Sequence, residues 1–387
     1  MKLLYAVCFT AVISACTNEP ATSVKDEDKL ATAESFFNFT KADEFNPVLV
    51  PDSSQVFVCP ILKKEVKWEE KDVFNPAVVV RNDTLFLLYR AEDRIGKYAG
   101  TSRIGLAWST NGLHFNKYPQ PVFYPDNDDQ KKWEWEGGCE DPRVVQDDKG
   151  VYYMTYTAYD GDKARMLVAS SPDLFHWTKH GHVFAKAFGG NYVNKWTKSG
   201  AIVSQYTKGT PVATKINGKY WMYGGDVNIW VATSDNLIDW TPVLYEQGEK
   251  PSIPLRHNST EIADIKIVFG PREKKFDSDL VEPGPPAMIT DSAIWLIYNS
   301  RNVPSIGDSS LPEGTYAAGY ILLDKNDPTR VLQRSDSYFM KPDKPYEING
   351  QVNHVCFIEG MVQYKGKWFL YYGTADSRIA VAVSANN

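Results

Sequence analysis

The chain has 387 residues, a net charge of −6 and a hydrophobic share of 43%, enough to bury one large core or two smaller ones. No basic block stands out, which argues against nucleic acid as a partner. Five cysteines without a CxxC spacing argue against a disulfide framework and a zinc site, and no metal or cofactor is expected. The 11 Trp and 22 Tyr have two readings: aromatics favour β-strands, and they also serve as stacking platforms for sugars.

In chain order, the first stretch, "MKLLYAVCFTAVISAC", reads as a targeting signal rather than fold. Lys2 gives the positive start, Leu3 to Ile13 the apolar run, and small residues precede Cys16. The pattern resembles a bacterial lipoprotein signal over 1–16 with Cys16 lipidated; an ordinary secretory signal cut near Ala15 is the alternative. Either reading places the protein outside the cytoplasm. The first anchors it to a membrane by lipid, periplasmic or surface-facing. Residues 17–45 are polar and read as a tether and lead-in. The remaining domain is 46–387.

A three-part phrase then recurs five times. A short apolar strand opened by Pro or Gly comes first: "NPAVVV", "EDPRVVQ", "GTPVAT", "EPGPPAMI" and "IEGMVQ". An aromatic strand follows, as in "DTLFLLYRAED" and "GKWFLYYGTAD", and then an alternating strand, as in "RIGLAWSTNGLHF". One repeat is too small to bury a core alone. Five such sheets predict an all-β fold, a five-bladed β-propeller. The stretch from Glu246 to Asp279, with Arg256 and His257, reads as an insertion between blades, either closing one end of the site or making a subunit contact. Oligomeric state is not readable from the sequence.

First strands of a propeller line its channel, which puts Asn75, Asp141, Thr210, Glu282 and Glu359 at one level. The second strands end in Arg90 and Asp93, Asp160, Asp226, Asn299 and Arg301, and Asp376 and Arg378. Buried charges are costly unless paired or used, so a recurring polar ring at a pore mouth is a candidate site. Asp141, Glu282, Glu359 and Asp226 are candidates for acid and base work, and paired carboxylates suggest glycoside chemistry. Any one of them alone could cap a turn or pair with an arginine.

"WEGGCEDPRVV", "FNPAVVV" and "YYGTADSRIAVA" together resemble glycoside hydrolase family 130, whose members are five-bladed propellers acting on β-mannosides. The resemblance runs from about Phe74 onward. It implies that Asp141 is the general acid, working by relay through the 3-hydroxyl of the mannose. The carboxylate separation that marks inverting enzymes then need not apply directly. It further implies that Asn75, Arg90, Arg143 and Asp376 shape the sugar site, with Lys198 of "TKSGAI" a further match; Arg90 and Arg143 could equally be ion-paired within the ring.

Most members are phosphorylases, in which phosphate attacks the anomeric carbon with inversion. Where that pattern has "KIGAGPPP" and "IYH", this chain has "LVEPGPPA" and "IYNS", so Leu280, Glu282 and Asn299 replace a lysine, a glycine and a histidine. "YWMYGGD" offers Gly225 and Asp226 where an arginine is usual. Phosphate needs cations or backbone donors and is repelled by a desolvated carboxylate; water needs a base. Glu282 is therefore expected to activate water in an inverting β-mannoside hydrolase, favouring β-1,2-linked manno-oligosaccharides. Asp226 is the reserve base or orients the water, and Glu359 is a sugar ligand or a structural partner. A β-mannoside phosphorylase and a catalytically silent glycan-binding propeller are the alternatives.

Overall fold

The computed structural model describes residues 35–98, 100–251, 253 and 262–384. Among the described residues strands dominate, and helices are limited to single turns such as Lys131–Glu134 and Pro345–Ile348. Four of the five repeats form antiparallel sheets in the expected order. Blade one is Asp72–Arg81, Thr84–Glu92, Ser102–Ser109 and Asn116–Lys117, and blade two is Gly138–Gln146, Tyr152–Tyr159, Ala164–Ser171 and Thr178–His182. Blade four is built on Leu280–Pro283 and Met288–Ile289, Ile294–Arg301, Tyr316–Leu323 and Val331–Arg334.

Blade five, Cys356–Tyr364, Lys367–Thr374 and Arg378–Ser384, takes its outer strand from the opposite end of the chain. Phe39–Lys41 pairs antiparallel with Arg378–Ser384. The lead-in within 17–45 is thus part of the folded body from residue 35 on, and Phe37 stacks on Tyr320 with ring centroids 4.2 Å apart. The signal, Cys16 and the first part of the tether lie outside the described residues, as do Arg256 and His257.

Blade three corrects the sequence reading. Its inner strand is Ala201–Ile202, paired with Tyr220–Gly224, followed by Ile229–Ser234 and Trp240–Pro242. The "GTPVAT" stretch instead belongs to a hairpin of Ser204–Thr207 and Thr210–Ala213, joined to blade two through Val212 and Gln146 and to blade four through Ser204 and Met288. Thr210 Oγ1 donates to Val80 O at 2.6 Å, at the end of blade one's inner strand away from Asn75. Thr210 is therefore not a ring residue. Within the stretch read as an insertion, Ile267–Phe269 pairs with Ile229–Ser234, so part of it completes blade three.

The alternation of each strand buries one face against each neighbouring blade. Ala77 and Val79 pack toward blade two, with Val144 and Met154. Val78 packs toward blade five, with Val362 and Tyr371. Blades two and three share Met166 and Met222, three and four Val231 and Leu296, and four and five Ile297 and Ile358. One apolar cluster per neighbouring pair closes the ring at five.

A second device repeats. In four blades the tyrosine of the second strand donates to a buried carboxylate that is also paired with a cation of the outer strand. Tyr89 donates to Glu69 at 2.9 Å, which meets Lys117 at 3.0 Å, and Tyr156 donates to Glu134, which meets Lys179. Tyr298 donates to Asp277 at 2.8 Å, which meets Arg334 at 2.6 Å. Tyr372 donates to Glu347 at 2.9 Å, which meets Lys41 at 2.7 Å. Each stitch ties an outer strand to the segment entering its blade, and each buried charge is both paired and hydrogen-bonded, as burial requires.

Candidate active site

Tyr89 directly precedes Arg90, which lines the channel-mouth cavity, and the inner strands are irregular at that level. The pairing register shifts between Phe74 and Pro76, between Glu140 and Arg143, and between Ile358 and Gly360. Asn75 and Asp141 adopt left-handed backbone at φ 47° and 48°. A bulge inserts an extra residue and re-aims its side chain; here the bulged residues are Asn75, Asp141 and Glu359, each followed by Pro or Gly. Asp376, at φ 49°, reaches the same place from the turn after blade five's second strand. Gly373 must stay small, because a Cβ there would lie 2.5 Å from Asn75 Oδ1.

The polar side of the cavity at this mouth is Asn75, Arg90, Asp141, Lys198, Glu282 and Asp376. Its apolar side is Phe74, Tyr316, Phe357 and two valines, Val352 and Val355. Asn75 Nδ2 donates to Asp141 Oδ1 at 2.9 Å. Arg90 stacks its guanidinium on Phe74, 4.7 Å from the ring centre, and touches three carboxylates: Glu92 at 2.7 Å, Glu140 at 3.0 Å and Asp141 at 3.3 Å. Lys198 Nζ stands between the two principal candidates, 3.5 Å from Asp141 Oδ2 and 3.7 Å from Glu282 Oε1. Ser199, left-handed at φ 61°, donates its hydroxyl to Glu282 Oε1.

Burial dominates the electrostatics. It pushes the Glu282 carboxyl above its ordinary value, Lys198 and Arg143 pull it back, and the charges of Asp226 and Asp141 push it further up. Burial also opposes ionisation of Asp141, but Arg90, Lys198 and the Asn75 amide outweigh it and hold Asp141 as a carboxylate. Glu140, buried beside Arg90 and Asp141, is pushed up to about 7. Burial also raises Asp376 to about 7 against the pull of Arg90. Lys198 stays charged: burial disfavours its ammonium, yet Glu282, Asp141 and Asp226 more than compensate. The acids around Arg90 are thus a coupled set that retains a proton near neutral pH.

Of the sequence candidates, Asn75, Arg90, Asp141, Lys198, Glu282 and Asp376 converge on the cavity. Asp226 stands beside them, accepting from Trp196 Nε1 at 2.7 Å. Three candidates lie outside the cavity lining. Arg143 is 1% exposed and does not line the cavity; its guanidinium meets the carbonyls of Pro283 and Gly284 at 2.6 and 2.9 Å. Asn299 is fully buried, accepting from Ile358 N at 2.7 Å and donating to Ile358 O at 2.8 Å, a brace between blades four and five rather than a cavity wall. Glu359 is fully buried 3.2 Å from Arg143 and does not line the cavity, a geometry that fits the structural partner of the two readings. Arg301 pairs with Asp279 at 3.0 Å, leaving Glu282 to Lys198 and Ser199. Asp93 and Asp160 pair within their own blades, with Arg103 and Arg165, each at 2.6 Å.

Sequence reasoning missed Glu140, Glu92 and Ser199. Glu140 sits inside "EDPR", but neighbours on a strand normally face opposite ways, and only the bulge lets both Glu140 and Asp141 reach Arg90. Ser199 carries no signal beyond its place next to Lys198.

Around one channel-mouth cavity the propeller gathers acids from its inner strands, Arg90 from a second strand and Lys198 from the segment before blade three, an arrangement that fits a glycoside-active enzyme class. The family model described as beta-1,4-mannooligosaccharide phosphorylase matches residues 43–387. The chain belongs to that family, glycoside hydrolase family 130. A beta-1,2-mannobiose phosphorylase of Thermoanaerobacter sp. is 30% identical, covering 86% of this chain and 95% of its own. A putative glycosidase from Bacteroides thetaiotaomicron superposes with a TM-score of 0.85 at 44% identity, over 91% of this chain and 98% of its own. A further structure is described by the finding that the GH130 family of mannoside phosphorylases contains glycoside hydrolases that target β-1,2 mannosidic linkages in Candida mannan. It superposes with a TM-score of 0.83 at 44% identity, over 89% of this chain and 93% of its own.

Proposed function

We propose that this protein is an inverting β-mannoside hydrolase that releases mannose from β-1,2-linked manno-oligosaccharides. The observation that carries this reading is the place of Glu282 in the cavity, across Lys198 from Asp141. A phosphate dianion entering there would meet a desolvated carboxylate, and both cavity cations, Arg90 and Lys198, are already engaged by acids. Charge of that sign repels phosphate and suits water.

In this reading water attacks the anomeric carbon from the face opposite the leaving group while Glu282 takes its proton. The glycosidic carbon–oxygen bond breaks, and the leaving oxygen receives a proton from the 3-hydroxyl, which Asp141 replenishes. The donor proton comes from the coupled acids around Arg90, where substrate hydroxyls entering between Asp141 and its cations would weaken their hold on the carboxylate. Burial raises Glu282 toward the range in which a general base works best near neutral pH. Ser199 and Lys198 fix its orientation, and Asp226 orients the water.

The competing reading is phosphorolysis to mannose 1-phosphate, favoured by the activity of the phosphorylase relatives. Turnover of β-1,2-mannobiose with and without inorganic phosphate separates the two. We further propose, from "MKLLYAVCFTAVISAC", that Cys16 carries a lipid anchor outside the cytoplasm. Cys16→Ser should then move the protein from the membrane to the soluble fraction of cells, and an unchanged distribution contradicts the anchor.

A further inference from the structure

We propose that Arg143 is a positioning residue that sets the separation of proton donor and base across the channel. The identity of the base rests on the hydrolase reading above. Arg143 lies two residues beyond Asp141 on the inner strand of blade two, and its Nη1 donates to the Asp141 carbonyl at 3.3 Å. The rest of the fork crosses the channel. Nε donates to Gly284 O at 2.9 Å and Nη2 to Pro283 O at 2.6 Å, the two carbonyls that directly follow Glu282 on blade four.

Lys198 links the two carboxylate side chains at this level, and Arg143 links the backbones that carry them. The inner strand of blade three between them has only two residues, Ala201–Ile202. Pro283, Pro285 and Pro286 lack N–H groups, so ladder bonds pin the stretch after Glu282 poorly. One planar guanidinium with three carbonyl acceptors therefore ties the backbone of donor and base into a single unit, a geometry that an ammonium cannot reproduce. Glu359, from blade five, faces the same guanidinium at 3.2 Å, and neither of its oxygens accepts a hydrogen bond among the described residues. The buried pair keeps the fork in one orientation.

Steady-state kinetics of Arg143→Lys and Gly284→Ala on β-1,2-mannobiose, with and without phosphate, test this. Misplacing reacting groups by an ångström costs on the order of a hundredfold, so Arg143→Lys should lose about that much in kcat while KM stays within about threefold. An added Cβ on Gly284 would lie 2.9 Å from Ile358 O and 3.1 Å from Ile297 O. That carbonyl must then shift, and kcat should fall about tenfold or more, again without a matching rise in KM. Retained kcat in Arg143→Lys, or a loss expressed in KM, overturns the proposal. If Arg143→Lys does not fold, an unchanged kcat in folded Gly284→Ala overturns it equally. A wild-type enzyme that needs phosphate sinks the hydrolase reading instead, and the division between kcat and KM in the variants still decides the role of Arg143.

Discussion

Asn75 donates to Asp141 at 2.9 Å from the neighbouring blade, and both residues hold left-handed backbone at bulges of their inner strands. The bond fixes one oxygen of the proton donor and favours its ionised form. Asn75→Ala frees that oxygen to turn away, and misplacing a reacting group costs on the order of a hundredfold, so kcat/KM should fall by about ten- to a hundredfold. Gly373→Ala, which drives a methyl into Asn75 Oδ1, should reproduce the loss. A variant with full activity in either place removes the bond from the account.

The pH profile tests Lys198. Glu282 must be ionised to act as a base, so activity is lost as pH falls through its pKa, which burial holds above the ordinary glutamate value while Lys198 draws it down. Removing that ammonium in Lys198→Met lets the pKa rise, so the acid limb of kcat/KM moves to higher pH. An unmoved limb dissociates Lys198 from the base.

Stability carries a signature of the acid cluster. Asp376 is raised in the folded state from an ordinary 3.8 to about 7, so the native protein binds more protons than the unfolded chain within that window. Its stabilising contribution is fully present below the ordinary value and is lost as pH rises through about 7. Asp376→Asn should therefore gain in unfolding temperature relative to wild type as pH is raised from about 4 to about 7, and the gain should level off above that. A constant difference between the two proteins across the window contradicts the buried, raised carboxyl.

Much of this was legible in the sequence, for a physical reason. Second and third strands are long and alternating, so their period is strong, and Asn75, Asp141 and Glu282 each stand next to a proline that marks a break in the inner strand. Blade three was misread because Ala201–Ile202 is too short to show any period, while "GTPVAT" carries the proline of the phrase on a hairpin elsewhere. Asn299 and Glu359 stand on the strands that the sequence indicates, but sequence cannot show that their side chains, and that of Arg143, are taken up by other blades. The outer strand of blade five lies before the first repeat, where the count of repeats gives no reason to look.

That strand makes Lys41 a stability determinant. Its ammonium pairs with fully buried Glu347 at 2.7 Å, and breaking a buried pair costs roughly 3–5 kcal/mol. Lys41→Met should lower the denaturation midpoint accordingly. Lys219→Met, which removes an exposed pair with Asp235, should cost no more than about 1 kcal/mol. Equal effects from the two substitutions contradict the stitching role of the Tyr372–Glu347–Lys41 set.

The most direct measurement is the product formed from β-1,2-mannobiose by the purified protein, with and without inorganic phosphate, alongside Glu282→Gln and Asp141→Asn. The account predicts free mannose as the only product, at a rate indifferent to phosphate. Each variant should lower that rate by roughly 10²–10⁴-fold, as loss of a general acid or base does. Mannose 1-phosphate formed only when phosphate is present would contradict it and leave Glu282 without the role of base.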